Sequence, residues 1–74
     1  MDYKETIVVD PDIMLGKPII KGTRITVELV LRKLAEGTSE DELMKAYPDL
    51  QQTDIRAALS YSADVISKEE MIVS

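Results

Sequence analysis

Apolar positions along the chain change period near residue 26. Before it they are clustered and β-branched; after it they recur every three or four residues. Thr6-Ile7-Val8-Val9 is short and β-prone, and Asp10-Pro11-Asp12 ends it as a turn. Ile19-Ile20 and Ile25 then flank Lys21-Gly22-Thr23, a spacing that predicts a tight hairpin with Pro18 at the start of an edge strand. Val27, Val30, Leu31 and Leu34 form one helical stripe over Val27–Glu36, with Thr26 as N-cap and Gly37 just past the end. Leu29 and Ala35 lie off that stripe. A second helix is expected over Glu40–Tyr47. Ser39 to Glu42 match a capping box, Pro48 stops the helix, and Leu43, Met44 and Tyr47 form its inner face. A third is expected over Asp54–Ser67, capped by Thr53, with Ile55, Ala58, Leu59, Ala63 and Ile66 facing inward. The pairs Glu28–Arg32, Asp41–Lys45 and Asp64–Lys68 place an acid four residues before a base, which supports helices.

The expected fold is therefore mainly α. One domain spans residues 1–74: a β-structured N-terminal hairpin arm (1–26), a three-helix bundle (27–67) and a C-terminal tail (68–74) ending in the apolar run Met71-Ile72-Val73. A chain of 74 residues has a small core, worth about 3–5 kcal/mol. It has no cysteine and no histidine, so neither disulfides nor the usual zinc ligands support it. A partner chain is the remaining support, and a homodimer or complex is expected. No apolar run approaches a membrane span and no signal peptide is visible, so a cytoplasmic location is expected.

Without histidine or cysteine the usual general base and the strongest nucleophile are missing. Glu40, Asp41 and Glu42 are consecutive and point around a helix, so they do not converge on a metal, and we expect no enzymatic activity and no cofactor. Gly16-Lys17 and Lys21-Gly22-Thr23 lack the P-loop spacing and read as two tight turns.

The net charge of −5 is unevenly spread: six Lys/Arg against five Asp/Glu in residues 1–35, then three against nine in residues 36–74. Phosphate would be repelled by the second half. The three helices resemble a helix-turn-helix that offers Thr53, Asp54, Arg56, Ala57 and Ser60 to a major groove, with Gln51 and Gln52 just before. Against this, Arg56 is the only base there and the Pro48–Gln52 connection is long. A plain helical bundle remains the alternative. Candidate DNA-binding residues are Lys17, Lys21, Arg24, Gln51, Gln52 and Arg56, with Lys33 as an outlying base; Met71, Ile72 and Val73 are candidates for partner binding.

Residues 13–27 carry the pattern Gly16-x-Pro18-hydrophobic-x-Lys21-Gly22-Thr23-Arg24-Ile25, and Tyr47-Pro48-Asp49-Leu50 and Ala57-Ala58-Leu59 follow downstream. Over roughly residues 5–65 the chain resembles the prokaryotic family called domain of unknown function 433. That resemblance implies a homeodomain-like three-helix fold. It also implies an antitoxin-like role beside a PIN-type ribonuclease toxin, with promoter DNA as a further ligand. Gly16, Pro18, Lys21, Gly22, Thr23 and Arg24 match the family motif position by position. The leading expectation is an antitoxin-like regulator acting as a homodimer. The alternatives are a homodimeric protein-interaction module with no DNA role, or an accessory domain to a catalytic chain.

Overall fold

The computed structural model describes residues 2–68. In chain order they form β1 (Ile7–Val8), a 3₁₀ turn (Met14–Gly16), β2 (Ile19–Ile20), α1 (Val27–Ala35), α2 (Glu40–Ala46) and α3 (Gln52–Ser67). The expected tail segment Met71-Ile72-Val73 lies outside the described residues.

β1 and β2 pair antiparallel, Ile7 opposite Ile20 and Val8 opposite Ile19. β2 is also bonded on its other side. Ile20 N–H donates to Ile25 C=O (2.9 Å), Val27 N–H donates to Pro18 C=O (2.9 Å), and Ile19 bridges Thr26. The expected hairpin around Lys21-Gly22-Thr23 is therefore present as one bridge, and β1 adds a pairing across the whole N-terminal loop. The strand expected over 6–9 is shorter, because Val9 already turns out to solvent, 58 % exposed, on its way into the Asp10 turn. Successive residues of a strand face opposite sides. Ile20 enters the main core with Ile7, while Ile19 is buried on the other side of the pair. The β segment is thus built into the core.

α1 is closed at both ends as its sequence predicts. Thr26 Oγ1 accepts from Leu29 N–H (3.0 Å). At the far end Gly37, at φ 99°, lets its own N–H reach Leu34 C=O and Thr38 N–H reach Lys33 C=O, the paired bonds of a Schellman motif. α2 carries the expected capping box: Ser39 Oγ accepts from Glu42 N–H, and Glu42 Oε1 accepts from Ser39 N–H (both 3.1 Å). Hydrogen bonding from the Ser39 backbone and then its hydroxyl lowers the Glu42 pKa. Glu42 thus serves as a cap, which matches its placement in the acidic helix start.

α3 departs from expectation in two ways. It begins at Gln52, two residues early, with Gln51, not Thr53, at the N-cap, where the Asp54 carboxylate reaches back to Gln51 N–H (2.9 Å). Its inward face is also different. Ile55, Ala57 and Ala58 are buried, whereas Leu59, Ala63 and Ile66 are exposed. Ala57, expected to face a groove of DNA, is packed in the core. Small residues at 57 and 58 let α3 approach α1 closely, and Leu43, Leu50, Val27 and Val30 fill the rest of the same cluster. Of the three acid–base pairs, Glu28–Arg32 forms (3.0 Å). Asp64 instead accepts from the Tyr3 hydroxyl (2.7 Å), and the Tyr3 ring stands edge-on to Tyr61 at 5.5 Å. No helix among the described residues is long and apolar enough to cross a membrane.

Two predictions follow from this packing. Ile55→Ala should cost about 2–5 kcal/mol, comparable to the whole stability of so small a domain, so its thermal transition by circular dichroism should lose cooperativity. The hydrogen bond to Asp64, then burial and the Asp64 charge, raise the Tyr3 pKa above its ordinary 10.0. The folded state therefore holds this proton more tightly than the unfolded chain. That contribution is present below pH 10 and lost as pH rises through the folded value. In urea titrations the wild type should lose more stability than Tyr3→Phe between pH 9 and 11 (about the tyrosine range); parallel curves would remove the tether from the account.

Candidate functional site

The basic turn is held by one hydroxyl. Thr23 Oγ1 donates to Ile20 C=O (2.8 Å) and accepts from Ile25 N–H (2.9 Å), while Thr23 N–H also donates to Ile20 C=O (3.0 Å). Gly22 sits between them at φ 80°, a left-handed position that glycine adopts without strain. Gly22 and Thr23 therefore build the turn, and Lys21 and Arg24, both exposed, are what it presents. Neither forms an ion pair with another described residue.

Beneath this turn lies a groove of about 870 Å³. Val8, Val9, Pro11, Ile13 and Ile19 supply its apolar part, and Lys21, Arg24, Asp10 and Asp49 bring both signs of charge to it. A smaller groove of about 310 Å³ continues past Arg24 toward Leu29, Tyr47 and Pro48, and shares Thr23, Arg24 and Asp49. Arg24 stands between the two. The motif pair Tyr47-Pro48-Asp49 and Lys21-Gly22-Thr23-Arg24, far apart in sequence, thus meets at one surface.

Beside the groove the backbone is strained. Met14, Leu15 and Gly16 take φ of 51°, 59° and 81° in succession. For the two side-chain-bearing residues that conformation costs about 1–2 kcal/mol each. The result is that Ile13 turns into the groove while Leu15 stands 94 % exposed.

The remaining candidate residues are not gathered there. Lys17, expected to be free for phosphate, donates to Glu28 Oε1 (2.9 Å), and Arg32 Nε donates to Glu28 Oε2 (3.0 Å). Gln51 is engaged at the start of α3 through its backbone, and Gln52 Nε2 donates to Glu40 Oε1 (3.3 Å). Arg56 is exposed on α3, and none of these three lines the grooves at the basic turn. Lys33 lies against Glu36 at 3.8 Å. The residues that sequence reasoning missed are Asp10, Asp49, Ile13 and Leu15. Asp49 lies in an element already singled out by the resemblance; Leu15 had no signal, since an apolar residue in a Gly-containing loop reads equally well as buried.

Three helices against a short antiparallel pair, with a grooved face at the basic turn, define a small, mainly helical domain. The chain belongs to the family described as Protein of unknown function (DUF433), whose model matches residues 7–62. It is 36% identical over 59 residues to "Uncharacterized protein y4eO" of Sinorhizobium fredii, a match covering 80% of this chain but only 27% of that protein. The chain thus spans about a quarter of that relative's length. Its fold is similar to the crystal structure of a DUF433 member protein from Anabaena variabilis, with a TM-score of 0.80 and 26% identity, covering 95% of this chain and 69% of that one.

The Lys17–Glu28–Arg32 cluster is checked by titration. The Lys17 hydrogen bond, then that of Arg32, lowers the Glu28 pKa below its ordinary 4.5. Its contribution to stability is present above pH 4.5 and is lost as pH falls through the folded value. The side-chain NMR midpoint of Glu28 should lie below 4.5. Lys17→Ala should return it toward that value further than Arg32→Ala does; the opposite order would mean that Lys17 is not held by Glu28.

Proposed function

We propose that this domain is a non-catalytic, antitoxin-like regulator that grips a partner protein, a small ribonuclease of the PIN type, at the face around the basic turn. The observation that carries this reading is the strained Met14–Leu15 turn beside the groove, which holds a large apolar side chain in solvent next to an apolar floor. Hydrophobic surface combined with charges of both signs suits a polypeptide. An extended partner segment would lay apolar side chains on Val8, Val9, Pro11, Ile13 and Ile19. It would set an acidic group against Lys21 and Arg24 and a basic group against Asp10 and Asp49. Occupying a loop of the ribonuclease in this way would block access to its RNA. The ribonuclease partner comes from the family resemblance, and the mixed apolar and charged lining of the groove supports a polypeptide ligand.

A second reading, contact with promoter DNA through a homeodomain-like helix-turn-helix, is favoured by one observation. Gln52, Thr53 and Arg56 are exposed on the first turns of α3, and Arg56, Lys21 and Arg24 form no ion pair with other described residues. Asp10 and Asp49 in the groove oppose phosphate, and Lys17 is engaged with Glu28, so we place DNA second.

The test is affinity capture of the tagged chain from its host at low salt, followed by mass spectrometry, alongside the variant Lys21→Glu/Arg24→Glu. Recovery of a small ribonuclease with the wild type, reduced at least about tenfold by the double variant, is expected. Equal recovery by both, or no nuclease with either, overturns the groove as its binding site. A promoter duplex titrated with the same pair at several salt concentrations addresses the second reading. A wild-type salt slope that flattens in the variant would place DNA at this turn.

A further inference from the structure

The two grooves at the basic turn share three residues, Thr23, Arg24 and Asp49. The polar groups that these three leave free decide what can lie across the junction. The Thr23 hydroxyl is used within its own turn, donating to Ile20 C=O and accepting from Ile25 N–H. Arg24 and Asp49 are both exposed, and neither forms an ion pair with any described residue, including the other. A guanidinium and a carboxylate thus face one opening without neutralising each other. Lys21 and Asp10 line the larger groove alone.

Both charges stand on turns closed by the backbone. Thr23 N–H donates to Ile20 C=O (3.0 Å) just before Arg24, and Leu50 N–H donates to Tyr47 C=O (2.9 Å) around Asp49. A ligand therefore meets groups whose backbone is already fixed, which lowers the cost of binding. Either side of the junction is apolar. Val8, Val9 and Ile19 lie on one side, and Leu29, Tyr47 and Pro48 on the other. Leu29 and Tyr47 pack against the main core, so the second wall is as firm as the first.

We infer that an extended segment of a partner protein crosses both grooves and is read at this junction by one acidic side chain. A carboxylate offers Arg24 the paired acceptors that a guanidinium fork matches. The backbone N–H of the same residue supplies Asp49 with a donor. Side chains on one face of an extended chain recur at every second residue. The apolar residues that enter the two grooves therefore lie two before and two after the acid. A nucleic acid strand would set repeated phosphates against Asp10 and Asp49. This deepens the partner reading above: it rests on a polypeptide ligand at the groove, and not on that ligand being a ribonuclease.

The probe is a displayed library of random peptides selected on the full chain. Single enriched peptides are then titrated against wild type, Arg24→Gln and Asp49→Asn. Neither position belongs to the core, so both variants should keep the wild-type helical spectrum. Enriched peptides should share one Asp or Glu with apolar residues two before and two after. Arg24→Gln should weaken them at least about tenfold, and so should replacing the peptide acid by its amide. Both changes together should cost little more than either alone, as for groups that bond each other. Asp49→Asn should weaken the same peptides by a smaller factor. Amide shifts on binding should reach Leu29 and Tyr47 as well as Val8 and Val9. No enriched peptide, no shared acid, additive losses, or shifts confined to one groove would each overturn the proposal. An oligonucleotide that binds Asp49→Asn more tightly than any peptide binds the wild type would assign the junction to nucleic acid instead. A shared peptide motif with no ribonuclease captured from the host removes the ribonuclease and keeps this site. A captured ribonuclease indifferent to Arg24→Gln does the reverse.

Discussion

Thr23 ties the two halves of this protein together with a single hydroxyl. By joining Ile20 C=O and Ile25 N–H it fixes the turn that brings Thr26 to the head of α1 directly after β2. The same turn keeps Ile20 and Ile25 together in the main core and leaves Lys21 and Arg24 exposed. Without it, β2 would lose its bonds to the chain ahead of α1, and the groove above Ile19 would lose one wall. The grooved face and the fold therefore share one small constraint, in a domain with little stability to spare.

The helices were legible because their signals are local. Thr26, Ser39 and Gly37 do what their residue types predict, and each acts within four residues of itself. The β pairing was only half legible. The turn at Gly22 is a short-range feature, but the pairing of β1 with β2 spans the 10–18 loop and depends on which faces the helices cover. α3 shows where periodicity misleads. Ile55, Ala58, Leu59, Ala63 and Ile66 make a good helical stripe, yet the bundle covers only the first part, so the stripe splits into a core half and an exposed half. The start of that helix moved for a comparable reason, since an aspartate reaching back outweighed a threonine of better capping propensity.

Of the candidate site, the family motif was the informative signal, though its six residues divide by task. Gly16, Gly22 and Thr23 shape the chain, Pro18 lends its carbonyl to Val27, and only Lys21 and Arg24 face outward. Charge counting could not make that division, nor show that Lys17 would be drawn to Glu28, eleven residues away. The acids Asp10 and Asp49 enter the same groove from two separate loops, a juxtaposition that exists only in three dimensions.

The left-handed pair Met14 and Leu15 carries a cost that the core does not demand. Glycine or asparagine at those positions would relieve local strain without touching the core. Keeping two bulky residues there makes the native state less stable than this backbone permits. The difference is confined to one loop, which the packing of the domain does not require to be apolar.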